Sequence, residues 1–238
     1  DYGAGNIQSL ANSLTKLGYT YEWVREPSDI SKADKLLFPG VGSFASAMDA
    51  LHAKGYVEPL RAYIQSGKPL MGICVGMQVL FEGSDESPGV QGLGIVPARV
   101  GRFATQDAFG RKAVPHMGWS LANVVEWDGC ADQRHELAKS YGMHDANPSH
   151  YYFVHSYRVA WDANVAEWAL TTTQYGNEVF VSSIQHANVF ATQFHPEKSG
   201  QAGLDLLAAW LQLEHVEPTT RVGRPVSSTE HMPTRRIV

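Results

Sequence analysis

The chain has 238 residues, 44% of them hydrophobic and 18% charged, with a formal net charge of −5 at pH 7. That length fills one hydrophobic core and leaves room for a tail, but not for two full domains. The longest apolar runs, such as the one around Leu70 to Val75, are far too short to span a bilayer, and the negative charge gives no general attraction to nucleic acid or anionic lipid.

In chain order, the opening Asp1-Tyr2-Gly3-Ala4-Gly5-Asn6 is turn chemistry that a strand would normally feed, so a truncated N-terminus is expected. Ile7, Leu10, Leu14 and Leu17 recur at helical spacing from Asn6, with Gly18 as the stop. Tyr19 to Val24 reads as a strand, and Lys35 to Phe38 as a short strand entering the turn Pro39-Gly40-Val41-Gly42. Helices are expected over Phe44 to Leu51 and Val57 to Ser66. A buried strand at Pro69 to Ile73 runs without linker into a helix at Val75 to Phe81. After Gly83 the pattern alternates: strands are expected at Val96 to Phe103, Tyr151 to Val159, Val179 to Gln185 and Val189 to Phe194. His186-Ala187-Asn188 reads as a tight hairpin turn between the last two. Glu126 to Pro148 is polar and patternless, and Gly203 to Leu213 is a final amphipathic helix. The expected fold is α/β: an open, mostly parallel sheet flanked by helices, with an added antiparallel strand region.

The sharpest local feature is Gly72-Ile73-Cys74-Val75-Gly76 between a buried strand and a helix, the form of a nucleophile elbow. A sharp reversal there excludes side chains at both glycines and presents the thiol to a helix N-terminus, which favours the thiolate. The base is His195 at a strand end. Glu197, two residues on, falls on the same face of an extended segment and orients the imidazole. The oxyanion of acyl chemistry needs two N–H donors. One is Val75, after the nucleophile; the other comes from Pro39-Gly40-Val41-Gly42, whose glycines let backbone face the substrate. The other nine histidines read as structural. No metal-ligand cluster and no cofactor site are visible. The only other cysteine is Cys130, so a reducing compartment is expected.

Gly72-Ile73-Cys74-Val75-Gly76-Met77-Gln78 with the distant His195-Pro196-Glu197 resembles the class I glutamine amidotransferases. Asp1-Tyr2-Gly3-Ala4-Gly5-Asn6, Pro39-Gly40-Val41-Gly42-Ser43-Phe44, Pro115-His116-Met117-Gly118-Trp119, Tyr152-Phe153-Val154-His155-Ser156-Tyr157 and Lys198-Ser199-Gly200 narrow the resemblance to the glutaminase branch serving imidazole glycerol phosphate synthase in histidine biosynthesis. The resemblance implies Cys74 as nucleophile, His195 as base and Glu197 as orienter, with Val41 and Val75 as oxyanion donors, Val41 after a peptide flip. It implies Gly42, Gln78 and Ser156 as glutamine-binding residues. Asn6, Trp119, Tyr152 and Lys198 would lie toward an ammonia exit and a (β/α)8 cyclase partner. Ser120 stands where that branch usually has Asn. Thr234-Arg235-Arg236-Ile237-Val238 resembles the first strand of the cyclase barrel. The expected organisation is therefore an amidotransferase domain over 1–214, a linker over 215–233 and the start of a cyclase domain over 234–238. A cytoplasmic location is expected, or a plastid one in a plant. The competing expectation is a stand-alone cysteine hydrolase of γ-glutamyl substrates using the same three residues.

Overall fold

The computed structural model describes residues 7–108, 110–126, 131–143 and 149–213. Asn6, Cys130, the 215–233 linker and the 234–238 segment lie outside the described residues.

The first helix, α1 (Gln8–Lys16), buries Leu10, Ala11 and Leu14, and the chain leaves it through Gly18 at φ 81°. Tyr19 to Val24 forms no strand; Tyr21 alone makes a bridge. A short helix the periodicity does not show, α2 (Pro27–Lys32), comes after it instead. It is polar and only six residues long, so its signals are at its start: Pro27 in the first turn and a reciprocal cap between Glu26 and Asp29. Next come β1 (Leu36–Gly40), α3 (Phe44–Ala53), α4 (Val57–Gln65), β2 (Leu70–Cys74) and α5 (Val75–Gln78). The last is half the expected length, because the chain turns at Val79 and Leu80 and re-enters as β3 (Phe81–Ser84).

The second half supplies β4 (Val96–Arg102), β5 (Gln106–Asp107), β6 (Gly110–Arg111), β7 (His116–Leu121) and β8 (Asn123–Val124), then α6 (Ala131–Ser140). It continues with β9 (His150–His155), β10 (Tyr157–Arg158), β11 (Ala169–Tyr175), β12 (Glu178–His186), β13 (Val189–Thr192) and α7 (Gly200–Gln212). The region expected to be patternless thus holds α6. It lacks an amphipathic signature, yet Ala138 and the adjoining Tyr141 and Met143 are buried. Tyr141 stacks on Phe190 with centroids 4.3 Å apart, so the segment packs on the sheet rather than standing off it.

One six-stranded sheet organises the core in the order β1-β2-β13-β12-β11-β8. β1, β2 and β13 are parallel, and β12, β11 and β8 extend the sheet antiparallel. Every residue of β2 and β13 is buried, which explains why their sequences are continuous apolar runs without alternation. The hairpin between β12 and β13 turns on Ala187-Asn188, with Ala187 at φ 48°. Smaller sheets, β3-β4-β10 and β7-β9, flank the end of the molecule that carries the functional residues.

The start of β1 and the end of α7 are joined by one buried cation. Lys35, 4% exposed, donates through Nζ to the carbonyls of Trp210, Leu211 and Leu213 at 3.0, 2.7 and 2.6 Å. These are acceptors that a helix C-terminus leaves unpaired, at its negative dipole end. Lys35→Met is expected to lower the unfolding free energy by about 3 kcal/mol, because buried carbonyls lose their donor. Urea denaturation checks this.

Candidate active site

β2 ends at Cys74 and α5 begins at the next residue, so the turn between them has no linker in which to bend. The bend is taken up by Cys74 itself, at φ 55° and ψ −112°, a backbone conformation that side-chain-bearing residues rarely adopt. The flanking glycines serve close approach rather than φ. A Cβ on Gly72 would meet the carbonyl oxygen of Gly76 at 2.8 Å, and one on Gly76 would lie 1.9 Å from the carbonyl oxygen of Phe38. The elbow is thereby pressed against β1, and Cys74 is 5% exposed.

Sheet register brings the other parts to the elbow. Gly40 at the end of β1 pairs with Cys74, so Val41 and Gly42 follow directly beside Cys74. Gly42 is at φ 93° and exposed; Ser43 then caps α3. Thr192 of β13 pairs with Ile73, which delivers Gln193, Phe194 and His195 to the same edge. Val75 opens α5, and its N–H belongs to the first turn, which a helix leaves without internal partners.

His195 is 2% exposed, and its Nδ1 is 2.8 Å from Glu197 Oε1. The contact does not arise from an extended segment. Pro196–Lys198 is a 3₁₀ turn, and the tight winding folds the carboxylate back under the imidazole. Burial opposes a charge on His195. Hydrogen bonds to the side chains of Cys74 and Glu197, with their negative charge, outweigh it and raise the imidazole to about 9. Near neutral pH the ring is an imidazolium between sulfur and carboxylate. Sulfur, imidazole and carboxylate thus meet at one sheet edge, although Cys74 and His195 are far apart in the chain.

Two buried amides complete the surroundings. Gln78, 4% exposed, donates through Nε2 to the carbonyl of Tyr157 at 3.1 Å and to Gln193 Oε1 at 2.9 Å. Gln193, 1% exposed, donates through its own Nε2 to Cys74 Sγ at 3.6 Å. Sequence reasoning passed over Gln193. The available signal was an uncharged polar side chain inside the apolar run from Val189 to Phe194, since a buried amide must find partners. Ser156 lies in the break between β9 and β10, next to Tyr157, and so shares the Gln78 side of the site.

Trp119 and Tyr152 are register partners in β7 and β9, with ring centroids 6.0 Å apart. Trp119 is 54% exposed and Met117, two residues earlier on the same strand face, 62%. Tyr152 is bound to the His195–Ser199 turn through its backbone: its carbonyl accepts from the His195 N–H at 2.9 Å, and its N–H donates to Ser199 Oγ at 2.9 Å. Lys198 closes the same turn, donating from its backbone to the His195 carbonyl at 3.0 Å. The exposed aromatic surface therefore begins one residue layer away from the imidazole.

The family model of class I glutamine amidotransferases matches residues 1–211. A relative from Emericella nidulans named imidazole glycerol phosphate synthase hisHF is 44% identical over 241 residues, covering 100% of this chain and 42% of that protein. This chain therefore spans about two fifths of that relative's length. A relative from Methanothermobacter thermautotrophicus named imidazole glycerol phosphate synthase subunit HisH is 42% identical, covering 90% of this chain and 96% of that subunit. Among solved structures, one described as a glutamine amidotransferase superposes with a TM-score of 0.60 at 20% identity, covering 87% of this chain and 95% of the other. With the elbow, the imidazole and the carboxylate at one sheet edge, these matches have one reading: the chain belongs to the class I glutamine amidotransferases.

Proposed function

We propose that this chain is the glutaminase part of an imidazole glycerol phosphate synthase. It hydrolyses glutamine to glutamate and passes the ammonia to a (β/α)8 cyclase. The observation that carries the reading is the buried His195, placed between Cys74 and Glu197 and raised to about 9. Cys74 Sγ attacks the side-chain amide carbon of glutamine, and the oxyanion that forms takes N–H donors from Val75 and, after a peptide flip, Val41. The C–N bond breaks as the His195 imidazolium gives its proton to the leaving nitrogen, which departs as ammonia. Neutral His195 then takes a proton from water, whose oxygen attacks the γ-glutamyl thioester and releases glutamate and the thiolate. Glu197 holds the ring in position throughout and stabilises its charged form. Gly42, Gln78 and Ser156 border the glutamine site.

Ammonia must stay unprotonated to act as a nucleophile, so direct transfer across an interface is favoured over release to solvent. The exposed Met117 and Trp119, backed by Tyr152 and Lys198, form the surface that meets the cyclase. The named relatives support this partner, as they include both a separate subunit and a protein more than twice this chain's length. The cyclase then makes imidazole glycerol phosphate and an aminoimidazole carboxamide ribotide. We propose residues 215–233 as a linker and 234–238 as the start of a fused cyclase domain. A cytoplasmic location fits a chain whose thiol chemistry requires free Cys74.

Glutamine hydrolysis is expected to be slow for this chain alone and to rise when the cyclase and its nucleotide substrate are added. Full turnover without any partner would point to the stand-alone γ-glutamyl hydrolase. Failure of a glutamine-analogue electrophile to form an adduct at Cys74 would remove both readings.

The pH dependence is set by His195. Its proton is held more tightly in the folded protein than in the unfolded chain. The stabilisation from its pairing is therefore complete below about pH 6.5 and lost as pH rises through about 9. Catalysis loses its acid over the same range. The rate of glutamine hydrolysis is expected to fall on an alkaline limb near pH 9, and a pH–rate profile flat to pH 10.5 or so would contradict the assignment.

A further inference from the structure

The residues around the thiol do not end with His195. From Cys74 a single run of hydrogen bonds leads through the core to β7. Gln193 Nε2 donates to Cys74 Sγ at 3.6 Å, and Gln78 Nε2 holds Gln193 Oε1 at 2.9 Å and the Tyr157 carbonyl at 3.1 Å. The same carbonyl meets His155 Nδ1 at 2.7 Å; His155 Nε2 lies 3.3 Å from His116 Nδ1; His116 Nε2 lies 3.0 Å from Ser120 Oγ.

Only one arrangement of protons satisfies this run. A carbonyl can only accept, so His155 Nδ1 carries the hydrogen. Burial lowers His155 to about 3 and His116 to about 4, so both rings are neutral and each has one N–H. His155 Nε2 is then an acceptor, His116 Nδ1 must donate to it, His116 Nε2 accepts, and Ser120 donates its hydroxyl hydrogen. Aromatic packing holds the pair still: His116 stacks between Tyr175 and Phe153 at centroid distances of 4.2 and 5.1 Å, and Phe103 and Phe180 close the sides. An Asn at position 120 would also present N–H groups, so the Ser120 found here keeps the donor the run requires.

The orientation of Gln193 is fixed from the other end. Gln78 turns its nitrogen toward two acceptors, the Tyr157 carbonyl and Gln193 Oε1. With Gln193 Oε1 accepting, the Gln193 nitrogen faces the sulfur. We propose that Gln193 anchors the Cys74 thiolate by donating from its side-chain amide to Sγ, and that Gln78, itself oriented by the Tyr157 carbonyl, fixes that amide in the donating orientation. An N–H donor on sulfur favours the thiolate over the thiol and aims its lone pairs. His195 supplies charge and proton transfer; Gln193 supplies a fixed uncharged donor from a neighbouring position on the same strand end. The titratable groups facing the sulfur are His195 and, behind it, Glu197, with His155 next to His195 on the far side.

This inference rests on the nucleophile role of Cys74 proposed above, so its test reads the thiolate directly and needs no glutamine turnover. In the full chain, thiolate absorbance at about 240 nm is monitored across pH, with Cys74→Ser as the blank, for the parent and for Q193M and Q193E. Methionine keeps the length and apolar volume without the donor; glutamate keeps the shape and puts an acceptor against the sulfur. Q193M is expected to lower the acid dissociation constant of Cys74 about tenfold, the effect of losing one hydrogen bond to a charged group. Q193E is expected to lower it further. Glutamine hydrolysis should lose about the same factor in kcat with KM within about twofold, as for an interaction with the nucleophile rather than with substrate. If Q193M does not fold, Q193E carries the test. Unchanged thiolate titration in a folded Q193M or Q193E protein would overturn the proposal, whatever happens to thermal stability. A shift in the titration with no glutamine turnover in the parent, even with the cyclase and its nucleotide substrate present, would keep this inference and remove the glutaminase reading.

Discussion

Replacing Cys74 by serine is expected to reduce glutamine hydrolysis by about four orders of magnitude or more, while leaving the melting temperature close to that of the parent. Serine has the same branching and is slightly smaller than cysteine, at a position whose backbone, at φ 55°, is already held in place by the surrounding packing, so the fold is expected to persist. What changes is acidity. A serine hydroxyl is far less acidic than a cysteine thiol, so it gives no anion beside an imidazole near neutral pH, and it is much the weaker nucleophile. Steady-state release of glutamate measures the loss. A matching control uses ammonium salt in place of glutamine, in the full protein with its cyclase. Under the proposed function that reaction continues in the Cys74→Ser protein, because only the supply of ammonia is lost. Retention of substantial glutamine hydrolysis would show that another group attacks the amide.

Gly76→Ala is the second large effect, and it acts through backbone alone. A methyl group there would stand 1.9 Å from the Phe38 carbonyl oxygen and 3.4 Å from the Gly40 nitrogen. No rotamer change relieves this clash, since neither partner is a side chain. β1 and α5 must separate, which costs on the order of 4 kcal/mol and pulls Val41 and Gly42 away from Cys74. Both stability and activity are expected to fall, with urea denaturation and glutamine hydrolysis as the measurements. Gly89→Ala serves as the control: a Cβ there meets nothing within 4 Å, so a change of about 0.5 kcal/mol or less is expected. A stable, active Gly76→Ala protein would mean that β1 and the elbow are not packed as described.

The elbow was legible in the chain because everything it needs is local: a buried apolar strand, two glycines flanking a cysteine, and a helix with no intervening linker. The role of the glycines was legible only in part. Their spacing marks a site of close approach, but which neighbour comes close, the Phe38 carbonyl of β1, depends on strand order. The pairing of His195 with Glu197 was also legible, though its geometry was not. A Pro between them suits the opening of a 3₁₀ turn as well as an extended segment. The residues just beyond it select the turn: Ser199 Oγ bonds back to the His195 carbonyl at 2.6 Å and α7 begins at once.

Other differences between expectation and structure have equally plain causes. Tyr19 to Val24 has strand composition, but composition supplies no ladder partner, and among the described residues it forms no ladder. α6 lacks a one-sided apolar face, so periodicity could not find it, although the residues that dock it, Ala138, Tyr141 and Met143, are apolar or aromatic. His116 and His155 read as structural because nothing near either in sequence offers an acid or a nucleophile. Their partners, each other, Tyr157 and Ser120, come together only through the pairing of β7 with β9.

The amino-acid sequence by itself singled out Cys74, His195 and Glu197 as one candidate site, and the α/β character of the half that holds them, because local pattern and short spacing suffice for each. Tertiary structure alone decided that three parallel strand ends meet, that Gln193 faces the sulfur, and that two histidines share one neutral hydrogen-bonded pair. Those facts depend on strand order and register, which join residues far apart along the chain. No local preference encodes such contacts; they are selected by the burial of whole strands and by the need of every buried donor and acceptor for a partner.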